Sequence, residues 1–440
     1  MLVKRAPSGA FHFSPFTFHL SLVPPPGFWL LPPVFYVPRM FSLADIQAAK
    51  RRIKGGIYYS PCPRSEPLSE AVGAQIFCKL DHLQRTGSFK ERGARNALLL
   101  LDDERRGLGV VAASAGNHAL GLAYHGKLLG IPVTVVMPQY APLIKITTCQ
   151  RLNANVVVAG NSFAEARDKA DQLAREKKFT YIHGYDDWNI IAGQGTMGLE
   201  ILDQVPELDA VIVPIGGGGL IAGVGLAIKT LKPSVKVIGV AAESTPSFAA
   251  ALAAGKPVSV QNAATLADGL AVPAVGANAF EIARAVVDQF VVVSENEIAL
   301  AILRILELEK SVVEGAAAST LAAMLSARLP ELRGRRVVLP FCGGNIDPGV
   351  LNRVIERGLV ADGRLFRFIA TISDRPGGLA ALTKVIASVG SSVKEITHDR
   401  TFSAADVSAV QVSCVVETRD QAHIEELRKA LDAAGVRCLR

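Results

Sequence analysis

Little in this chain could build a disulfide scaffold or a cysteine-ligated metal centre. Its six cysteines, Cys62, Cys78, Cys149, Cys342, Cys414 and Cys438, are scattered through 440 residues with no CxxC pair. That pattern fits free thiols in a reducing cytoplasm. No segment reaches the about 20 clean apolar residues of a spanning helix, so no membrane partner is expected. Charge of one sign is never concentrated. Lys and Arg number 47 against 40 Asp and Glu, for a net +7, and Arg333-Gly334-Arg335-Arg336 is only a short basic run. A balance of this kind fits phosphate and carboxylate ligands and argues for no nucleic-acid partner. Half the residues are hydrophobic and 20% are charged, which suits large cores and excludes bulk disorder.

The first 39 residues differ from the rest, being dense in Phe and Pro. Pro24-Pro25-Pro26 interrupts the apolar stretch that a signal peptide needs. Residues 1–39 therefore read as a disordered or mis-started extension, with the working start at Met40. A targeting or tethering segment is the alternative.

From Ala71 to about Val360, strand-like and helix-like runs alternate. Ile131–Met137, Asn155–Ala159, Ala210–Ile215, Lys236–Val240 and Phe290–Val293 are continuous apolar runs of the buried parallel kind. Ser162-Phe163-Ala164-Glu165 reads as a capping box, with Phe163, Ala166, Ala170 and Leu173 on one helical face. Alternating strands and helices predict an α/β fold with parallel sheets covered on both faces.

Three segments in this region carry chemistry. Lys90 sits in Thr86-Gly87-Ser88-Phe89-Lys90-Glu91-Arg92-Gly93-Ala94, where small and hydroxyl neighbours suit a lysine that forms an imine with an aldehyde. Ser114-Ala115-Gly116-Asn117-His118 leads into a helical pattern. Gly216-Gly217-Gly218-Gly219 joins a strand to a helix, where bare amides can converge on a phosphate. That glycine run lacks the Lys-Ser/Thr ending of a nucleotide P-loop and is no dinucleotide fingerprint. Together they describe a site for pyridoxal 5′-phosphate.

In this combination and order the segments resemble those of the threonine dehydratases (threonine ammonia-lyases), fold type II pyridoxal phosphate enzymes. The resemblance runs from about Met40 to the C-terminus. It implies a two-lobed, tryptophan synthase beta-like catalytic domain over 40–360, with a small lobe at about 112–189 inserted in a larger one. It implies Lys90 as the Schiff-base lysine and acceptor of the substrate Cα proton. Phe89, Asn117, Gly216 to Gly219 and Cys342 would be cofactor residues, Asn117 on the phenolic oxygen and Cys342 facing the pyridine nitrogen. Ser88 and the loop Ser114, Ala115, Gly116, Asn117 and His118 would hold the amino-acid substrate, chiefly through backbone amides, with His118 itself an ordinary helix-start histidine. A neutral thiol at Cys342 favours β-elimination over transamination, and the cofactor phosphate is the candidate acid for the departing hydroxide. Threonine would give 2-oxobutanoate and ammonia, and serine would give pyruvate. Related racemases carry a serine where this chain has Ala115, which weighs against racemisation. Glu243 could open a cation site, but Ala249 cannot continue it, so no metal is expected.

The last 77 residues change rhythm. Phe366, Phe368, Ala370 and Ile372 alternate in one strand, and Val410, Val412, Cys414 and Val416 in another. Leu379, Leu382, Val385, Ile386 and Val389 mark one helix, and Ile424, Leu427 and Leu431 a second. The βαββαβ order is ferredoxin-like. Asp374-Arg375-Pro376-Gly377-Gly378-Leu379 resembles the opening of an ACT domain, which implies a regulatory module over 364–440 after a linker Val360-Ala361-Asp362-Gly363. Gly377, Gly378 and Leu379 are the candidate residues for an amino-acid effector. Modules of that family pair edge to edge, implying a homodimer or homotetramer. Rival readings are a serine dehydratase or racemase, or a sensor without catalysis.

Overall fold

The structure, a computed structural model, describes residues 41–399 and 408–439; the extension expected over 1–39 lies outside them. After a first helix, Leu43–Ile53, the chain forms β1 (Arg64–Ser65) and β2 (Gln75–Lys79). It then leaves to build a separate parallel sheet from β3 (Val110–Ala113), β4 (Val133–Met137), β5 (Asn155–Val158) and β6 (Thr180–Tyr181), in the order β5-β4-β3-β6. It returns with β7 (Ala210–Pro214), β8 (Lys236–Ala242), β9 (Gln289–Val293) and β10 (Arg336–Pro340). These complete a six-stranded sheet, β1-β2-β10-β7-β8-β9, parallel except for β1. Every residue of β3, β4 and β7 is buried. Strands covered on both faces need apolar side chains on both, which is why they read as unbroken hydrophobic runs.

Ligands of open parallel sheets gather outside the carboxyl ends of the strands. Three segments singled out in the sequence leave such ends: Ser114 follows β3, Gly216 follows β7 and Cys342 follows β10. Lys90 begins the helix Lys90–Leu99, which crosses the helix Trp188–Gln204 closely at Gly93 and Gly193. A Cβ on Gly193 would lie 2.5 Å from the Arg92 carbonyl oxygen, so the crossing requires the missing side chain. Arg92, fully buried, bonds Asp81 at 2.7 Å and Glu200 at 2.6 Å, and Lys79 reaches the other Glu200 oxygen at 2.6 Å. Two cations against two carboxylates leave this buried cluster neutral, the condition under which such charges are tolerated. All six cysteines are unpaired.

The helix over Phe163–Lys177 departs in detail from expectation. The Ser162 hydroxyl accepts from the Glu165 amide at 3.2 Å and donates to one Glu165 oxygen at 3.1 Å, but the other oxygen accepts from the Asn161 amide rather than from the Ser162 amide. Ala166 and Ala170 face the core, while Phe163, in the first turn, stays 41% exposed.

The C-terminal segment forms β11 (Leu365–Ser373), a helix Gly378–Ser388, β12 (Ser392–Asp399), β13 (Ala409–Glu417), a helix Gln421–Ala433 and β14 (Arg437–Leu439). This is the βαββαβ order, in an antiparallel sheet β12-β13-β11-β14. Phe368, Ala370, Ile372, Leu382, Ile386, Leu427 and Leu431 fill its core. The connection is shorter than expected. The helix Pro348–Ala361 runs through Val360 and Ala361, both exposed, and the Asp362 amide still donates to the Gly358 and Val360 carbonyls. Asp362 pairs with Arg304, and Glu307 pairs with both Arg304 and Arg364, so the short connection is clamped to the body.

Candidate active site

The turn before Lys90 is tied to the end of β10. The Phe89 amide donates to the Cys342 carbonyl at 2.9 Å, Ser88 bridges to Gly343, and the Asn345 side chain donates to the Thr86 carbonyl at 2.7 Å. Lys90 thus starts its helix pointing into a cleft of about 340 Å³, within the range of small-molecule pockets. Its Nζ donates to the Gly184 carbonyl at 2.6 Å. Burial lowers the amine to about 8, against the opposing pull of Cys342 and Glu314. At neutral pH an appreciable share of the amine is therefore unprotonated and nucleophilic.

Facing Lys90, the loop Ser114 to Gly116 leads into the helix Asn117–Leu129. Its first-turn amides have no intrahelical acceptors, and the helix dipole adds positive potential there. The glycine run opens the helix Gly219–Leu231 in the same way. A Cβ on Gly217 would meet the Tyr185 ring at 2.2 Å, and one on Gly219 would meet the Tyr185 carbonyl oxygen at 2.3 Å. The cradle closes against Tyr185 only because both lack side chains.

One cleft is lined by Phe89, Lys90, Ser114, Ala115, Gly116, Asn117, His118, Gly216 to Gly219 and Cys342. Ser88 is not in the lining; it is fully buried beneath the turn. His118 is buried, bonds the Ile182 carbonyl at 3.1 Å and is held down at about 3, first by burial and then by Lys90. It ties its helix to the strand end and carries no charge. Burial pushes the Cys342 thiol far up, so it stays protonated. Gly377, Gly378 and Leu379 lie at a helix start in the C-terminal module, outside this cleft. Glu243 follows β8 and is exposed, and among the described residues no group of acids, His and Cys could hold a metal ion.

Several residues escaped the sequence reading. Glu314 lines the cleft at 5% exposure. The Asn117 side-chain nitrogen donates to both its oxygens, at 2.9 and 3.0 Å, and Asn345 donates to the Asn117 oxygen at 2.8 Å, which fixes the amide's orientation. Burial raises the Glu314 carboxyl to about 7, despite the Asn117 bond. Tyr185 and His183 form the wall beside the glycines, their rings 4.5 Å apart. Glu314, in Val313-Glu314-Gly315, carried no recognisable spacing; Asn345 stands three residues after Cys342, in Cys342-Gly343-Gly344-Asn345, and could have been weighed.

An amine, an amide cradle closed to side chains, and a second set of helix-start amides suit an aldehyde, a phosphate and a carboxylate in one cleft. The comparisons agree. The profile of the pyridoxal-phosphate dependent enzymes matches residues 53–343. The L-threonine ammonia-lyase of Thermotoga maritima is 43% identical over 396 residues, covering 90% of this chain and 98% of that protein, and that of Geobacter sulfurreducens matches with the same figures. Threonine deaminase isoform 2 from Solanum lycopersicum superimposes with a TM-score of 0.68 at 36% identity, over 72% of this chain and 86% of its own. Serine racemase from Dictyostelium discoideum gives 0.66 at 34%, over 70% and 99%. The chain belongs to the pyridoxal-phosphate dependent enzymes of fold type II, in the branch that its L-threonine ammonia-lyase relatives occupy. Its cofactor is pyridoxal 5′-phosphate, and the cleft residues fit that group.

Proposed function

We propose that this chain is an L-threonine ammonia-lyase, eliminating water from L-threonine to give 2-oxobutanoate and ammonia, with L-serine as a second substrate giving pyruvate. The observation that carries the reading is the convergence of Lys90, the Ser114–His118 loop and the glycine cradle on one cleft. When bound, the cofactor supplies an electron sink for the substrate Cα. Gly216 to Gly219 would hold its phosphate and Lys90 its aldehyde carbon, with Phe89, Asn117 and Cys342 around its ring. The loop amides anchor the substrate carboxylate at the helix start. Lys90 Nζ, its basicity lowered by burial, takes the Cα proton. Cys342 stays neutral and would offer the ring nitrogen a thiol rather than a carboxylate, which favours loss of a β-substituent. Ala115 offers no second base on the opposite face, which disfavours racemisation.

The C-terminal segment, 364–440, is read as an ACT-type regulatory module with an amino-acid effector near Gly377, Gly378 and Leu379. Alignment with the Thermotoga protein covers 396 residues of this chain and so extends into the module, whereas the catabolic dehydratase of Staphylococcus aureus aligns over only 325. A homodimer or homotetramer in the cytoplasm completes the reading, and no described helix is long and apolar enough to cross a membrane. Keto-acid formation by cofactor-loaded protein, from threonine and from serine, with and without isoleucine or valine, tests it. Threonine turnover that an effector alters is expected. No keto acid from either substrate would overturn the catalytic reading, and turnover indifferent to both effectors would count against control through the module by these amino acids.

A further inference from the structure

Glu314 has no part in the chemistry derived so far, yet it stands inside the cleft as a buried carboxylate without an ion-pair partner. None of the described salt bridges involves it, in contrast with Glu200, which Lys79 and Arg92 neutralise. Its side-chain donor is the neutral amide of Asn117, itself held by Asn345. Lys90, Cys342, Asp268 and Lys145 share the cleft lining with it, as do Arg167, two histidines and two tyrosines, and Lys145 lies against Asp268 at 3.4 Å. A desolvated carboxylate facing an open cleft is costly unless a cation arrives to meet it.

Its position says which cation. Asn117 is the first residue of the helix whose start amides would anchor the substrate carboxylate. In an α-amino acid the ammonium hangs from the same carbon as the carboxylate, about 3 Å away. A carboxylate bonded to the anchoring residue therefore lies within reach of the ammonium. We propose that Glu314 receives the α-ammonium of the incoming amino acid and takes one proton from it. An N–H bond breaks, an O–H bond forms on a Glu314 oxygen, and the amine is left neutral with its lone pair free. This rests on the amino-acid lyase reading and adds to it the residue that recognises the zwitterion. The elevated affinity of Glu314 for a proton suits it to the transfer.

The test uses cofactor-loaded protein and two ligands without a β leaving group, L-2-aminobutanoate and butanoate, which differ only in the amine. Binding is measured by calorimetry in wild type and Glu314→Gln, with the melting temperature and the cofactor's visible band as controls for folding and loading. Loss of a charge-assisted bond predicts about ten- to hundredfold weaker binding of L-2-aminobutanoate. Butanoate binding should change by less than about twofold. Equal losses for both ligands, no loss for either, or wild type that binds butanoate but not L-2-aminobutanoate would each overturn the proposal. A second variant, Gly343→Ala, checks the geometry, since its Cβ would lie 2.2 Å from a Glu314 oxygen and must displace it. It should reproduce the selective loss, and unchanged L-2-aminobutanoate binding in this variant would also count against the proposal. Failure of the lyase reading is separate, and shows as absent keto acid in wild type.

Discussion

Gly219→Ala probes the phosphate cradle with the least chemical change. The added Cβ would sit 2.3 Å from the Tyr185 carbonyl oxygen, a backbone atom that no side-chain rotation can move aside. Restoring an ordinary contact requires a shift of about 1 Å, and overpacking of this kind costs about 1–3 kcal/mol. The shift falls on the glycine amides, whose convergence is what binds phosphate. We expect cofactor affinity to fall about ten- to hundredfold, read by titrating cofactor-free protein with pyridoxal phosphate, with a modest drop in melting temperature. Gly107→Ala is the control. No atom lies within 4 Å of its added Cβ, and it sits in the exposed helix Asp103–Leu108. It should leave affinity unchanged and stabilise by about 0.5–1 kcal/mol. Wild-type affinity in Gly219→Ala, with Tyr185 still in place, would refute the cradle.

Three further outcomes follow from the buried charges. Cofactor uptake by Lys90 should accelerate as pH rises through about 8, the depressed value of its amine, and stopped-flow absorbance would show an inflection above 10 if the amine were in fact solvated. Glu314 binds its proton more tightly folded, at about 7, than unfolded, near 4.5. Stability of the cofactor-free protein should therefore decline by up to about 3 kcal/mol as pH climbs between those values, and Glu314→Gln should abolish that component; parallel denaturation curves for the two proteins across the window would contradict this. Arg92→Met strands Asp81 without its cation and leaves Glu200 to Lys79 alone, so about 3–5 kcal/mol of stability should be lost in chemical denaturation, and a loss under about 1 kcal/mol would show the cluster to be solvated.

Much of this arrangement was legible because parallel strands, buried on both faces, announce themselves as apolar runs, and because phosphate and carboxylate cradles need small residues in contiguous stretches. The C-terminal module was equally plain, since its alternating valines can face only one way. The charged interior was not. Arg92 stands two residues after Lys90 in a charged run, and nothing local says that it will meet Glu200 from a helix 108 positions on. Glu314 is hidden for the same reason: its place depends on β10 carrying Gly343 beneath it, a contact of tertiary origin. Ser88 stands next to Lys90 in the motif yet is buried outside the cleft lining, since motif adjacency says nothing of direction. The linker was placed too early since Gly363, not Val360, is where the backbone leaves helical geometry.

The account turns on the Lys90 amine, and the most direct measurement is borohydride reduction of cofactor-loaded protein followed by peptide mass analysis. It should place a phosphopyridoxyl group on Lys90, and Lys90→Ala should lose both the label and ammonia release from threonine. A label found elsewhere, or ammonia release undiminished in Lys90→Ala, would contradict it.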